Sequence, residues 1–317
     1  MTVGTQTAGT ASQTPPGSLR RSRPRYGEQV IQAVLLLAAL VSIGTTVGIV
    51  VSLIPPAVDF FRQVSFTEFF TGTNWAPLFK PPTYGVIPLL VGTLVITLIA
   101  VLVAIPLGLL AAIYLSEYAR PGVRKFFKPV LEVLAGIPTV VYGFFALSFV
   151  TPVLRAIWPF GEGPNIFNGL AAGLVMGVMI IPTVASLSED AMTAVPQSLR
   201  DGAYALGSSR MLVSLRVVVP AALSGIVAAF VLGISRAIGE TMIVTIAAGI
   251  TSRLNFNPLQ PLQTMTAFIA QAGQGDIPTS SFDYKTVFAV ATVLFVITFA
   301  INAVSIRLVR KYREVYE

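Results

Sequence analysis

The 317-residue chain contains no cysteine and no histidine. That excludes disulfide frameworks, Cys/His zinc sites, cysteine nucleophiles and triads with a histidine base. Charge is scarce as well. Asp, Glu, Lys and Arg make up 11% of the residues, against roughly 25% in a soluble domain. So few charges do not cover the surface of a soluble globule of 33.7 kDa. The dipeptide Gly-Lys does not occur, so there is no phosphate loop and the chain is not expected to hydrolyse ATP. Hydrophobic residues are abundant, at 54%, and mean hydropathy is +0.79. The composition is that of a membrane protein.

An apolar helix of about 20 residues spans the hydrocarbon core. Six runs reach that length: Val30–Ile54, Val86–Ser116, Val133–Leu154, Gly163–Ser188, Val217–Thr251 and Thr286–Ile306. The second is longer than one perpendicular span and contains Pro88 and Pro106, which predicts tilt, a kink or an interfacial turn. The fifth is interrupted by Arg236 and Glu240. The expected fold is all-α, a polytopic membrane protein of six transmembrane helices. Fifteen of the 21 Lys and Arg fall before the first run, between runs two and three, between four and five, and after six. By the positive-inside rule these segments and both termini are cytoplasmic. The net charge of +7 follows from this topology, and no nucleic-acid partner is implied. The expected organisation is a disordered basic tail over 1–29, a first span over 30–54 and an external loop over 55–85. A core over 86–317 follows, with a cytoplasmic loop at 188–220. The first run is too long for a signal-peptide core and reads as an anchor.

The cytoplasmic loop is patterned. Pro196 suits a first helical turn and Gly207 the position just past a helix end. Between them Val195, Leu199, Ala203 and Leu206 recur at near-helical spacing. A short amphipathic helix is expected, lying either in the headgroup layer or against a partner. Arg236 and Glu240 form the second feature. A central arginine costs at least ~2.5–3.5 kcal/mol in a bilayer. Spaced i, i+4, the two are expected on one helix face, neutralising each other. They read either as a structural ion pair or as a pathway site, where an arginine fork suits a tetrahedral oxyanion. Glu240 would then hold Arg236 between passages. Gly225, Ala229, Gly233 and Ala237 form a small-residue ladder on the same helix, which permits close packing in lipid.

Asp201-Gly202-Ala203, three residues, Gly207, nine residues, then Val217-Val218-Val219-Pro220 resembles the EAA loop of ABC-importer permeases. Asp201 replaces the family's Glu and Gly202 its first Ala. The resemblance implies that this loop is a coupling helix docking in a groove of a cytoplasmic ATPase, through Leu199, Asp201, Gly202, Ala203, Leu206, Gly207 and Pro220. Further stretches are similar to phosphate-importer permeases of the PstC type. They are Ser235-Arg236-Ala237-Ile238-Gly239-Glu240-Thr241, Leu89-Leu90-Val91-Gly92-Thr93-Leu94, Ala111 to Tyr118, Leu134 to Gly143 and Thr71-Gly72-Thr73-Asn74-Trp75. The resemblance covers most of 70–310. It implies a permease subunit for inorganic phosphate in the bacterial cytoplasmic membrane. Its implied partners are a PstA-type second permease, a PstB-type ATPase dimer and a PstS-type extracytoplasmic phosphate-binding protein. ATP and magnesium would be used by the ATPase, with no cofactor bound by this chain.

Arg236, Glu240, Tyr142 and Thr139 are the candidate pathway residues; Tyr142 reads equally as a buried packing aromatic. Loops 55–85 and 251–284 would meet the binding protein. In the second, Leu262, Met265 and Ile269 fit either a short amphipathic helix or a plain loop. Sulfate or molybdate as substrate differs from phosphate only by the resemblance. A stand-alone transporter or channel lacks support from an internal repeat, and an intramembrane enzyme lacks the ionisable groups.

Overall fold

The computed structural model describes residues 26–311, apart from residues 160, 252, 277, 279 and 280. The expected tail lies outside the described residues as far as position 25, and from Tyr26 the chain is already helical. Residues to Val51 and residues from Ser52 form two units. The first unit holds most of α1 (Tyr26–Phe61), whose Val30, Leu36, Val41 and Val47 are all exposed. A helix of this length that is apolar all round is suited to span a membrane. It continues past Ile54 and through Pro55 and Pro56 into the segment expected as loop.

The rest of that segment is folded. Ser65 caps α2 (Phe66–Thr71) by accepting the Glu68 N–H at 3.1 Å. A hairpin of β1 (Trp75–Ala76) and β2 (Thr83–Tyr84) follows, antiparallel with Trp75 opposite Tyr84. Phe60, Phe69, Trp75 and Tyr84 bury their rings together. Phe60 meets Phe69 edge-on at 5.5 Å and Trp75 meets Phe268 at 5.0 Å. This aromatic cap is a core of its own on the external side.

α3 (Ile87–Ile113) places Pro88 in its first turn, runs on through Pro106 and ends in a π-helical turn over Tyr114–Tyr118. The third apolar run is not one helix. α4 (Pro121–Ala135) stops before Gly136, and the span begins only with α5 (Thr139–Phe145), then a π turn and α6 (Thr151–Ile157). Pro138 pushes Ile137 out of helical geometry, so the run is cut even though its hydropathy is unbroken. α4 is amphipathic and lies before the span rather than in it.

α7 (Gly169–Thr193) is the central span. Asn168 caps it, its side-chain oxygen accepting the Ala171 N–H at 2.7 Å. α3 packs along α7. Gly177 makes the approach possible: a Cβ there would sit 2.8 Å from the Val103 Cβ and 2.9 Å from the Ala100 carbonyl oxygen. On the cytoplasmic side come α8 (Gln197–Ala205), α9 (Arg210–Val213), a π turn and α10 (Val219–Ala221). The fifth run is broken twice. It bends by 72° between α10 and α11 (Leu223–Ile238), then stops at Gly239 before α12 (Met242–Ala247).

The segment expected as an external loop over 251–284 packs closely against the spans. Its backbone pairs with the external start of α7 and with α12. The Leu170 N–H meets the Pro258 carbonyl at 2.8 Å, and the Leu262 N–H meets the Ala248 carbonyl at 2.9 Å. It then forms α13 (Met265–Gln271), a helix as one of the two readings allowed, with Met265, Ala267 and Phe268 fully packed. α14 (Phe282–Lys311) closes the chain. Among the described residues, five helices are long and apolar enough to cross a membrane, or six if the bent pair counts as one span.

Candidate functional site

The second break in the fifth run falls between its two charged residues, Arg236 and Glu240. α11 ends at Ile238, with Gly239 at its C-cap. Arg236 therefore sits in the last turn of α11, where the helix dipole favours a cation. Glu240 lies beyond the helix end. Its carboxylate turns forward and accepts the N–H groups of Met242 and Ile243, at 3.0 and 3.2 Å, so it caps α12. The Thr266 hydroxyl of α13 donates to the Glu240 carbonyl at 2.7 Å. This overturns the expected ion pair: no salt bridge joins Arg236 and Glu240 among the described residues. The i, i+4 rule needs a helix that continues through both positions, and here it stops between them.

Arg236 instead donates from Nη1 to the Thr183 hydroxyl of α7 at 2.9 Å. Thr183 follows Pro182 in that helix. The guanidinium is half-buried and, among the described residues, meets no carboxylate within salt-bridge distance. It has five N–H donors, of which one is committed to a neutral hydroxyl. Tyr142 lies within its electrostatic reach. That phenol is buried and donates to the Leu134 carbonyl at 3.0 Å, which commits its proton to the end of α4. Thr139, half-buried, opens α5. α5 lies close to α12 through Gly143, where a Cβ would sit 3.0 Å from the Ile246 Cδ1. Thus Arg236 of α11 meets α7 directly at Thr183, with Tyr142 of α5 within electrostatic reach.

The small-residue ladder holds α11 against α7. A Cβ on Gly225 would meet the Ala191 Cβ at 2.4 Å, and one on Gly233 the Val184 Cγ2 at 3.1 Å. Ala229 and Ala237 are buried. The Ser235 hydroxyl fixes the other flank by donating to Asn302 of α14 at 3.0 Å.

On the cytoplasmic side α8 stands between Pro196 at its N-cap and Gly207, whose φ of 80° suits glycine. Leu206 is 89% exposed. Leu199, Asp201 and Gly202 are exposed, Ala203 packs towards Met192, Val195 and Val213, and Pro220 is exposed in α10. Asp201 accepts from Gln197 at 3.0 Å, within α8.

Two ionic clusters beside α8 escaped the sequence. Glu189, buried at the end of α7, accepts from Lys128 at 3.0 Å and pairs with Arg124, both on α4. Lys128 also reaches Asp190 at 2.6 Å. Hydrogen bonds to Asp190 and then Glu189 hold its ammonium above the ordinary lysine range. Arg200 of α8 reaches Glu117 at 3.2 Å. Only the segregation of basic residues hinted at these pairs; their partners are distant in sequence.

Residues 104–314 match the family described as binding-protein-dependent transport system inner membrane component. The chain is 37% identical over 268 residues to the probable ABC transporter permease protein YqgH of Bacillus subtilis, covering 84% of this chain and 85% of that one. It is 34% identical to the phosphate transport system permease protein PstC of Xylella fastidiosa, over 78% and 82% of the two chains. With the PstC of Mesorhizobium japonicum identity is 31%, over 88% of each. Its fold is similar to that of a chain in a bacterial alginate ABC transporter complex, with a TM-score of 0.63 at 16% identity. The match covers 90% of this chain and 96% of that one.

Proposed function

The chain belongs to the binding-protein-dependent transport system inner membrane component family, and from that premise we propose that it is the PstC-type permease of an ATP-driven importer of inorganic phosphate. It is a transport subunit rather than an enzyme. A PstA-type permease completes the pathway, a PstS-type protein delivers phosphate from outside, and a PstB-type ATPase pair hydrolyses ATP with magnesium below. Nucleotide-driven closure of the ATPases is passed through α8 to the spans, as the differing affinity for ATP of the two conformations requires.

The observation that carries the reading is Arg236. It is a guanidinium in an apolar run with one neutral hydrogen-bond partner among the described residues, so its remaining donors are available to an oxyanion. The hydroxyl of Thr183 aims the fork without cancelling its charge. Glu240, spent on the α12 cap, does not compete for it. An arginine without a carboxylate partner attracts an anion. The neutral hydroxyls of Thr183 and Tyr142 beside it add no second cation to tighten its hold, and a pathway must release what it attracts.

The test is uptake of labelled phosphate by vesicles containing the assembled importer, its binding protein and internal ATP, with sulfate in excess outside. ATP-dependent uptake that sulfate does not inhibit is expected. Uptake abolished by sulfate would make this a permease for another oxyanion.

A further inference from the structure

Arg200 has a geometry that the docking role of α8 does not use. Its side chain is 12% exposed and that of its partner Glu117 4%, although most of α8 is open to solvent. Nη1 donates to the Val195 carbonyl at 2.6 Å. Nη2 donates to the Met192 carbonyl at 2.8 Å and to Glu117 at 3.2 Å. Met192 lies in the last turn of α7, whose final carbonyls have no partner within the helix. Glu117 lies in the π turn that ends the α3 span, and its carboxylate also accepts from Ser116 at 2.9 Å. One planar fork thus joins α8 to the cytoplasmic ends of two spans. A lysine, with a compact ammonium, does not reproduce that fork.

We infer that Arg200 is a positioning residue, a strut that makes α8 and the ends of α3 and α7 move as one body. The inference rests on the coupling role given to α8 above. Two further observations support it. Apart from Ala203, the α8 side chains between Ser198 and Leu206 offer little other packing, so without the strut the helix is held mainly at its ends. A cavity of about 420 Å³, lined by Thr193, Gln197, Arg200 and Tyr204 among others, lies beside it. That space lets an untethered α8 tilt instead of pushing on the spans.

The test replaces both partners, Arg200→Met with Glu117→Gln, so that no buried charge is left unpaired. In the assembled importer the double variant is expected to co-purify with the ATPase and hydrolyse ATP. Phosphate imported per ATP should fall about tenfold, a typical coupling free energy. An unchanged ratio overturns the strut. A second measurement needs no assembly. Spin labels on Ser198→Cys and Gly122→Cys, in a chain that has no native cysteine, report the distance from α8 to the start of α4. A Cβ at Gly122 meets nothing within 4 Å. A narrow distribution that broadens in the double variant supports the strut, and one that stays narrow overturns it. A wild-type complex that imports no phosphate on ATP would instead refute the proposed function, and the spin-label distances would still decide the strut.

Discussion

Arg236 and Glu240 stand four positions apart and do separate work. Arg236→Gln keeps one donor for Thr183 and loses the charge. Phosphate uptake should fall at least tenfold while the subunit still assembles; normal uptake would reduce Arg236 to a packing role. Glu240→Gln keeps an oxygen that accepts the Met242 and Ile243 N–H groups, whereas Glu240→Ala removes the cap at a cost of about 1 kcal/mol. The expected order of thermal stability is therefore wild type, then Gln close behind, then Ala. Equal losses for Gln and Ala would show that the charge itself matters. The two residues were legible in the sequence, since charge in an apolar run is conspicuous. Their pairing was not. Gly239 ends α11, and a glycine among small residues reads as part of a packing ladder as easily as a stop.

At the scale of elements, α8 was legible because both its ends are marked locally, by Pro196 and Gly207. A valine at position 207, where φ is 80°, costs about 1–2 kcal/mol of backbone strain. It also shifts the exit of α8, so Gly207→Val should lower phosphate imported per ATP while ATP hydrolysis persists. Retained coupling in that variant would remove Gly207 from the mechanism. The division of the third run into α4 and α5 was hidden because hydropathy averages over a proline. The burial of α13 was hidden for a different reason. Its segment is polar enough to read as loop, and its hydrogen-bond partners are distant in sequence: Thr93 of α3, whose hydroxyl accepts the Met265 N–H at 3.1 Å, and the Glu240 carbonyl.

Across the whole molecule, the membrane spans are joined on the cytoplasmic side by charge and on the external side by aromatic rings. The charge cluster has a pH signature. The Lys128 pKa is raised above the ordinary 10.5, so the folded state holds its proton more tightly than the unfolded one. The stabilisation is full below about pH 10.5 and disappears as pH rises through the higher folded value. Lys128→Met should therefore cost about 1 kcal/mol at pH 8, partial exposure keeping the effect small, and progressively less as pH rises above 10.5. Thermal unfolding of both chains from pH 8 to 11.5 checks this, and a gap that stays constant would deny the linkage. On the external side Asn168 is fully buried. Its amide donates to Thr151 and to the Asn165 carbonyl, and its oxygen caps α7. The next residue is Gly169, whose N–H is bonded to the Gln260 carbonyl. Asn-Gly is the dipeptide that ages fastest in water, because the glycine nitrogen attacks the asparagine side chain to form a succinimide. Here both reactants are held by hydrogen bonds to other partners. Isoaspartate at position 168 should therefore accumulate only when this corner opens, which peptide mapping of aged protein checks.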